Sequence, residues 1–284
     1  MKKIFLTLAL IIGCAAMQNS YATNNNNNNN NPQDVCRLNN NVFQAGESVN
    51  YTIYYNWTAA WVKAGTVSFN VQNATIANKP AYHFISEGKS VRTFDWFFKV
   101  RDKYESYVEQ TTIKPLKFLR NISEGDYTLE HNYTFYPEKN QVLINYHKTK
   151  GKIKLQNKTV NVSECAQDLL SAVYYSRCID YDKMKIGDVY NMDVFMDGET
   201  YPIYIRYKGK ENIKTDYGTF RCTKFSPLLL EGDVFKGGEG MTIWTTDDAN
   251  RLPIYLESPL SVGYIKAYIN NFKGLKNPMT AKIK

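Results

Sequence analysis

Apolar and polar residues alternate with a period of two along most of this chain. Tyr51, Ile53 and Tyr55 fall on one face of an extended segment, whereas Thr52 and Asn56 fall on the other. The same alternation returns at 65–72, 127–135, 142–146, 201–207 and 265–269. It is typical of antiparallel sheet with one buried and one solvated face, and the aromatic and β-branched residues involved favour strands. The sequence therefore predicts an all-β protein.

Turn signals separate the alternating stretches. The strongest is Asp197-Gly198, because an Asp-Gly pair between two alternating runs favours a two-residue hairpin. Longer polar turns are expected at 137–140 and 247–250. The spacing of these signals predicts about ten or eleven strands, arranged as a barrel or a sandwich.

Two segments interrupt the alternation. Residues 166–177 predict the one central helix, because Leu169, Leu170 and Val173 belong to an apolar stripe at helical spacing. We expect this helix to plug an open end or to lie across the concave face of a curved sheet. The aromatic segment 93–98 predicts one helical turn.

The N-terminal residues resemble an export signal. Lys2 and Lys3 precede an apolar segment at 4–13 that is too short to span a bilayer. We predict a signal peptide at 1–22, which places the protein in the periplasm or at the outer membrane. A disordered Asn-rich spacer is predicted at 23–41.

A lipoprotein interpretation of the same leader stays open. Residues 11–14 fit a loose lipobox, in which Cys14 would be acylated and would anchor the protein to a membrane. Without acylation at Cys14 we expect no membrane association. Since no Pro- or Gly-rich linker follows, residues 42–284 are predicted to form a single antiparallel β domain.

Four cysteines remain after a signal peptide at 1–22, an even number that suits an oxidising compartment. Cys165 and Cys178 flank the predicted helix and would lie about 20 Å apart if the helix is continuous, too far for a disulfide. Two pairings stay open: Cys36–Cys165 with Cys178–Cys222, or Cys36–Cys178 with Cys165–Cys222. The alternative is that some of these residues are buried free thiols.

Motifs for several functional classes are missing from the sequence. It has no GxSxG, HExxH, P-loop or dinucleotide fingerprint, and His83, His131 and His147 are not at metal-ligand spacing. We therefore expect no metal site and no cofactor. The net charge of +8 is dispersed. Its densest basic patch, at 148–154, lacks interleaved aromatics for base stacking, so no nucleic-acid partner is expected.

Carboxylate pairs offer one catalytic hypothesis. Asp102 with Glu105, or Glu124 with Asp126, could supply an acid and a base for glycan hydrolysis. Carboxylates beside arginine, such as Asp102, are commonly structural. A non-enzymatic protein is therefore the favoured interpretation.

Aromatic residues are the stronger lead. Forty Phe, Tyr and Trp residues occur in 284, which could form a concave surface for a lipid tail, a platform for sugar rings, or a Tyr-rich core. For a ligand site, the candidate lining residues are Trp57, Trp61, Trp96 and Phe98. Arg101 or Arg177 would orient a charged head group.

Ordered blocks of residues resemble an exported bacterial family known as domain of unknown function 3108. The matching blocks are Gly46-Glu47, Tyr54-Tyr55-Asn56-Trp57, Ala64-Gly65, Arg101-Asp102, Tyr104-Glu105-Ser106, Pro115-Leu116-Lys117-Phe118, Asp168-Leu169-Leu170-Ser171-Ala172, Tyr174-Tyr175, Arg177, residues 215–220 with Pro227, Trp244-Thr245-Thr246-Asp247 and Arg251-Leu252-Pro253. The resemblance spans residues 42–273. It implies an envelope protein built on an incompletely closed antiparallel barrel or strongly curved sheet, and it supplies no catalytic residues.

Taken together, these features favour a non-enzymatic envelope protein. Its half-open barrel would bind an amphiphile or a glycan on a concave aromatic face during envelope biogenesis. The first alternative is a scaffold subunit whose aromatic surface contacts an envelope protein partner. The second is the carboxylate-dependent glycan hydrolase.

Overall fold

One large antiparallel sheet dominates the computed structural model, which describes residues 38–56, 60–231 and 236–284. The strands are β1 Ser48–Asn56, β2 Trp61–Ile76, β3 Lys79–Ser90, β4 Val100–Glu109, β5 Pro115–Glu124, β6 Tyr127–Tyr136, β7 Gln141–Thr149, β8 Lys152–Asn161, β9 Val189–Met196, β10 Glu199–Thr215, β11 Gly218–Pro227, β12 Leu229–Glu231, β13 Lys236–Gly238, β14 Thr242–Thr246, β15 Pro253–Pro259 and β16 Tyr264–Lys273. The helices are α1 Arg92–Asp95 and α2 Leu169–Arg177, with 3-10 turns at Pro137–Lys139 and Tyr181–Lys183. The all-β prediction is confirmed.

The first and last strands, β1 and β16, pair with each other in the middle of the sheet, and the other strands extend from them to both edges. Its order is β8-β7-β6-β5-β4-β3-β2-β1-β16-β15-β14-β11-β10-β9, while β12 and β13 form a separate ribbon. Strands β8 and β9 are therefore the two edges, and the sheet is not closed, as the family resemblance implied. The sixteen strands of the described residues exceed the predicted ten or eleven, in part because β12 and β13 are too short to alternate and β8 is almost wholly solvent-exposed.

The predicted Asp197-Gly198 hairpin joins β9 to β10. Both residues have positive φ, 52° and 92°, which suits a two-residue turn of the type that Asp-Gly favours. The turn pairs Met196 with Glu199. Edge strand β8 carries lysines at its exposed positions, a common protection against edge-to-edge pairing.

Helix α2 starts three residues later than the predicted 166–177. Asp168 is its N-cap, and its Oδ1 accepts hydrogen bonds from the backbone N–H groups of Leu170 and Ser171, both at 2.8 Å. The residue before it, Gln167, instead pairs with edge strand β9: its N–H donates to Asp193 O, and Phe195 N–H donates to its carbonyl. The helical turn predicted in the aromatic segment 93–98 corresponds to α1, which begins one residue earlier, at Arg92, and ends at Asp95.

The helix packs into the concave side of the sheet. Tyr174 stacks on Phe84 with ring centroids 3.8 Å apart, and Phe43 contacts both rings edge-on. Among the described residues, no helix has the length and apolar character needed to cross a bilayer. The proposed leader at 1–22, most of the spacer at 23–41, Cys14, Cys36 and Trp57 lie outside the described residues.

The structure corrects the cysteine pairing. Cys178 and Cys222 are buried free thiols, and burial raises the pKa of each to about 12. The predicted bonds Cys178–Cys222, Cys36–Cys178 and Cys165–Cys222 are therefore wrong, and the free-thiol alternative holds for these two residues. Cys165 is not a free thiol. Its pairing with Cys36 stays a prediction.

Candidate ligand-binding site

An apolar cavity lies between helix α2 and the concave face of the sheet. Its wall is built by side chains of β1, β2, β9, β10, β11, β14, β15 and β16, together with α2. All but four of the lining residues are apolar or tyrosine, and the exceptions are Glu47, Ser176, Arg177 and Thr245. The cavity has a volume of about 90 Å³, counted as the space that the centre of a water-sized sphere can occupy. One water molecule needs roughly 10–15 Å³ on the same measure.

The alternation of the strands explains why this wall is apolar. Antiparallel pairing places Ile53, Ala267, Leu256, Ile243 and Phe225 in one row across five neighbouring strands. All five side chains line the cavity. Residues opposite each other on paired strands project to the same face, so this register gives a continuous apolar surface.

Small residues leave room in the row and in the helix facing it. Ala267 in β16 and Ala172 in α2 both line the cavity. Ile243 and Leu256 are only half-buried although they face the inside of the sheet. A water-sized sphere therefore reaches part of the lining, in contrast to a close-packed core.

A buried ion pair between Arg177 and Glu47 forms part of the cavity lining. Arg177 donates from Nη1 to Glu47 Oε1 at 2.6 Å and from Nη2 to Oε2 at 3.0 Å, a two-pronged contact. Arg177 also donates to the backbone carbonyl of Asn250 at 3.0 Å and 3.3 Å. Burial opposes its charge, but the Glu47 carboxylate holds the pKa of Arg177 above its ordinary value. The guanidinium is therefore neutralised in place and is not free to bind a second anion.

The structure brings one of the predicted site residues to this cavity. Arg177 lines it, whereas Trp61 and Trp96 are exposed at one end of the sheet. Phe98 is half-buried in the segment after α1. Arg101 is exposed and forms an ion pair with Asp95, Nη2 to Oδ2, at 2.7 Å. None of these aromatic residues lines the cavity, because Trp61 lies at the start of β2 and the other two lie in the segment between α1 and β4.

Sequence reasoning missed the aliphatic lining. Ile53, Ile203 and Ala267 were recognised as strand residues with one apolar face, but the same pattern describes a filled core. The cavity wall is distinguished from a filled core only by which residues stand opposite each other across five strands. The alternation of residues within one strand does not determine this register.

A second buried cluster, on β5, β6 and β7, is polar. His131 Nε2 lies 3.6 Å from Asp197 Oδ1, and Arg120 Nη1 lies 3.5 Å from the same oxygen. The rings of His131 and His147 are 4.0 Å apart. Burial, together with the positive charge of Arg120, lowers the pKa of His131 well below its ordinary value. Asp197 therefore fastens the β9–β10 turn to the inner face of the opposite part of the sheet.

The carboxylate pairs do not assemble an acid–base site. Asp102 and Glu105 are an odd number of positions apart on β4, so they lie on opposite faces of the sheet. Glu105 is occupied by His83 at 2.9 Å and by Lys103 at 2.9 Å. Glu124 is buried, whereas Asp126 is exposed on the following turn. Within the described ranges, no cluster of three His, Cys, Asp or Glu side chains could hold a metal ion.

The unclosed antiparallel sheet, with a helix inside and an apolar cavity beneath it, defines an incompletely closed β-barrel-like protein. Membership is settled by the sequence match over residues 50–270: the chain belongs to the family described as protein of unknown function, DUF3108. No curated protein matches it.

Comparison with solved structures gives matches at low sequence identity, of which the first shares the fold. A beta-barrel-like protein of the family DUF1849 from Brucella abortus is 7% identical, with a TM-score of 0.54, and the match covers 82% of this chain and 98% of that one. A protein with a YmcC-like fold from Bacteroides fragilis is 11% identical, with a TM-score of 0.37 and coverage of 84% and 100%. The lipoprotein LppX from Mycobacterium tuberculosis is 13% identical, with a TM-score of 0.24 and coverage of 83% and 89%.

Proposed function

We propose that this protein is a non-enzymatic envelope protein that holds the apolar part of an amphiphile in the cavity beneath α2. The observation that carries the proposal is the apolar wall, because it encloses a cavity large enough for water-sized spheres that no side chain fills. Cavities of this composition favour apolar ligands, and a dry engineered cavity of similar lining binds small apolar molecules. The export signal predicted at 1–22 supports an envelope location.

The ion pair in the lining limits which part of the ligand enters. Arg177 and Glu47 already satisfy each other, so the cavity presents no free charge to a head group. The ligand is therefore an apolar chain whose polar end stays outside. This departs from the initial expectation that Arg177 orients a charged head.

Native mass spectrometry on the protein purified from a bacterial periplasm, with an organic extract of the same sample, tests the proposal. We expect a reproducible added mass that is lost on denaturation. Leu256→Trp should abolish the added mass because the indole fills the cavity from a half-buried position. The matched control is Ile153→Trp, on edge strand β8, where the side chain is 53% exposed; it should retain the added mass.

Two results would contradict the proposal. One is an added mass that survives Leu256→Trp in a folded protein, as judged by circular dichroism. The other is a clean apo mass in the wild-type protein, which would favour the scaffold alternative and direct the search to protein partners.

A further inference from the structure

Exposed apolar side chains gather at one end of the sheet. The described residues include ten exposed large hydrophobic side chains, and six of them lie in or directly beside three connections between strands at this end. The six, which we name the aromatic rim, are Trp61, Val62, Trp96, Phe97, Val262 and Tyr264. Trp96 is 84% exposed. Isolated exposed apolar residues are ordinary, but a grouped set marks an interaction surface.

Contacts through one buried tyrosine show that the three connections belong together. The ring of Tyr55, at the end of β1, lies 6.3 Å from that of Phe94 in α1. Its hydroxyl donates to the carbonyl of Val262 at 3.1 Å in the turn between β15 and β16. Register pairs Asn56 with both Trp61 and Tyr264. The three segments that carry the aromatic rim are therefore held next to each other at one end of the sheet.

The charge of these connections is positive. Residues 60–66, 91–101 and 260–266 contain five cations, Lys63, Arg92, Lys99, Arg101 and Lys266, and one carboxylate, Asp95. Arg101 already pairs with Asp95 at 2.7 Å. Lys266 lies over the Trp61 ring at 4.5 Å, so cations stand directly beside the exposed rings.

We propose that the aromatic rim docks the protein onto the surface of an anionic lipid bilayer. Trp and Tyr rings settle at the boundary between head groups and acyl chains, and lysine and arginine beside them attract anionic head groups. The combination of exposed rings and net positive charge favours this occupant over a second copy, because two like-charged rims repel. Docking requires no acyl group on Cys14.

Vesicle flotation tests the proposal, using the exported protein with Cys14→Ser so that acylation cannot contribute. We expect binding to vesicles of phosphatidylglycerol and phosphatidylcholine, weaker binding to phosphatidylcholine alone, and weakening by salt. Trp96→Ala should lower the partition coefficient roughly tenfold, because a tryptophan ring carries a large apolar area. The matched control is Ile186→Ala, which removes a 75% exposed side chain outside the aromatic rim and should change nothing.

Three results would overturn the proposal. They are no flotation with anionic vesicles, equal flotation of Trp96→Ala and Ile186→Ala, or self-association in sedimentation velocity that Trp96→Ala abolishes while vesicles are ignored. The last would make the aromatic rim a protein interface. Leu256→Trp should float like the wild-type protein, so docking and ligand binding can fail separately.

Discussion

The two halves of one sheet fill their concave sides differently. Across β5, β6 and β9, aromatic rings pack against each other, with Tyr133 and Phe195 centroids 5.4 Å apart and Phe135 and Phe195 5.9 Å apart. Across β1, β16, β15 and β14, a row of aliphatic side chains faces the cavity instead. The same alternation of apolar and polar residues therefore builds a filled core in one region and the wall of a cavity in the other.

Helix α2 borders both regions. Tyr174 stacks on Phe84 and also lines the cavity, together with Ala172 and Val173. Arg177, at the end of the helix, locks onto Glu47 next to β1. The helix therefore packs on the aromatic core and borders the cavity at the same time, and the ion pair holds its C-terminal end in place.

The largest expected effect comes from breaking that lock. Glu47→Ala leaves the Arg177 guanidinium buried without its partner, which costs about 3–5 kcal/mol of folding free energy in comparable pairs. Urea denaturation of the wild-type and variant proteins measures this difference. Lys79→Ala, which removes an exposed partner of Glu109, is the control and should cost at most about 1 kcal/mol. Equal losses would mean that the ion pair does not hold the helix.

The next effect distinguishes the filled side from the cavity side directly. Ile144→Ala, in the filled part, should cost about 3–5 kcal/mol, because the neighbours cannot close a new void. Ile203→Ala should cost nearer about 2 kcal/mol, since it enlarges a cavity that already exists. Both wild-type side chains are buried. Denaturant midpoints at equal m-values compare the two, and an equal cost would indicate that the cavity closes in solution.

Sequence reasoning predicted the parts that are local. Alternation identified the strands, Asp197-Gly198 identified a hairpin, and Leu169 and Leu170 lie in the predicted helix. Family blocks added the unclosed barrel. Sequence reasoning could not predict the cavity, because a small residue such as Ala267 suits a filled core equally well. Nor could it pair Glu47 with Arg177, 130 positions away, since no local pattern links a residue before a strand to one at a helix end.

The smallest effect is a pH dependence that belongs to the filled side. His131 is faced by Arg120 on β5, by Tyr133 beside it on β6, by His147 on β7 and by Asp197 on the β9–β10 turn. Its lowered pKa means that the unfolded chain binds more protons than the folded one as pH falls through 6.5. Stability should therefore decline on acidification, by at most about 1.4 kcal/mol per pH unit for this residue.

Asp168 works in the opposite direction. Burial raises its pKa to about 6, against hydrogen bonds from Ser106 and the helix N-terminus that lower it. The folded state therefore gains stability as Asp168 is protonated below pH 6, which offsets part of the histidine effect. The measurement must isolate His131, so His131→Gln is compared with the wild-type protein in urea denaturation between pH 7 and pH 5. The variant should show the flatter pH dependence, whatever its absolute stability.

His83→Gln supplies the control for that comparison. His83 pairs with Glu105 at 2.9 Å, and burial lowers its pKa, although hydrogen bonding to Glu105 opposes the shift. Replacing His83 should flatten the pH dependence of stability less than replacing His131 does. His131 has no such hydrogen bond within the described part of the chain. If both variants follow the wild-type slope, acid sensitivity does not come from the filled side, and the two halves of the sheet respond to protons alike.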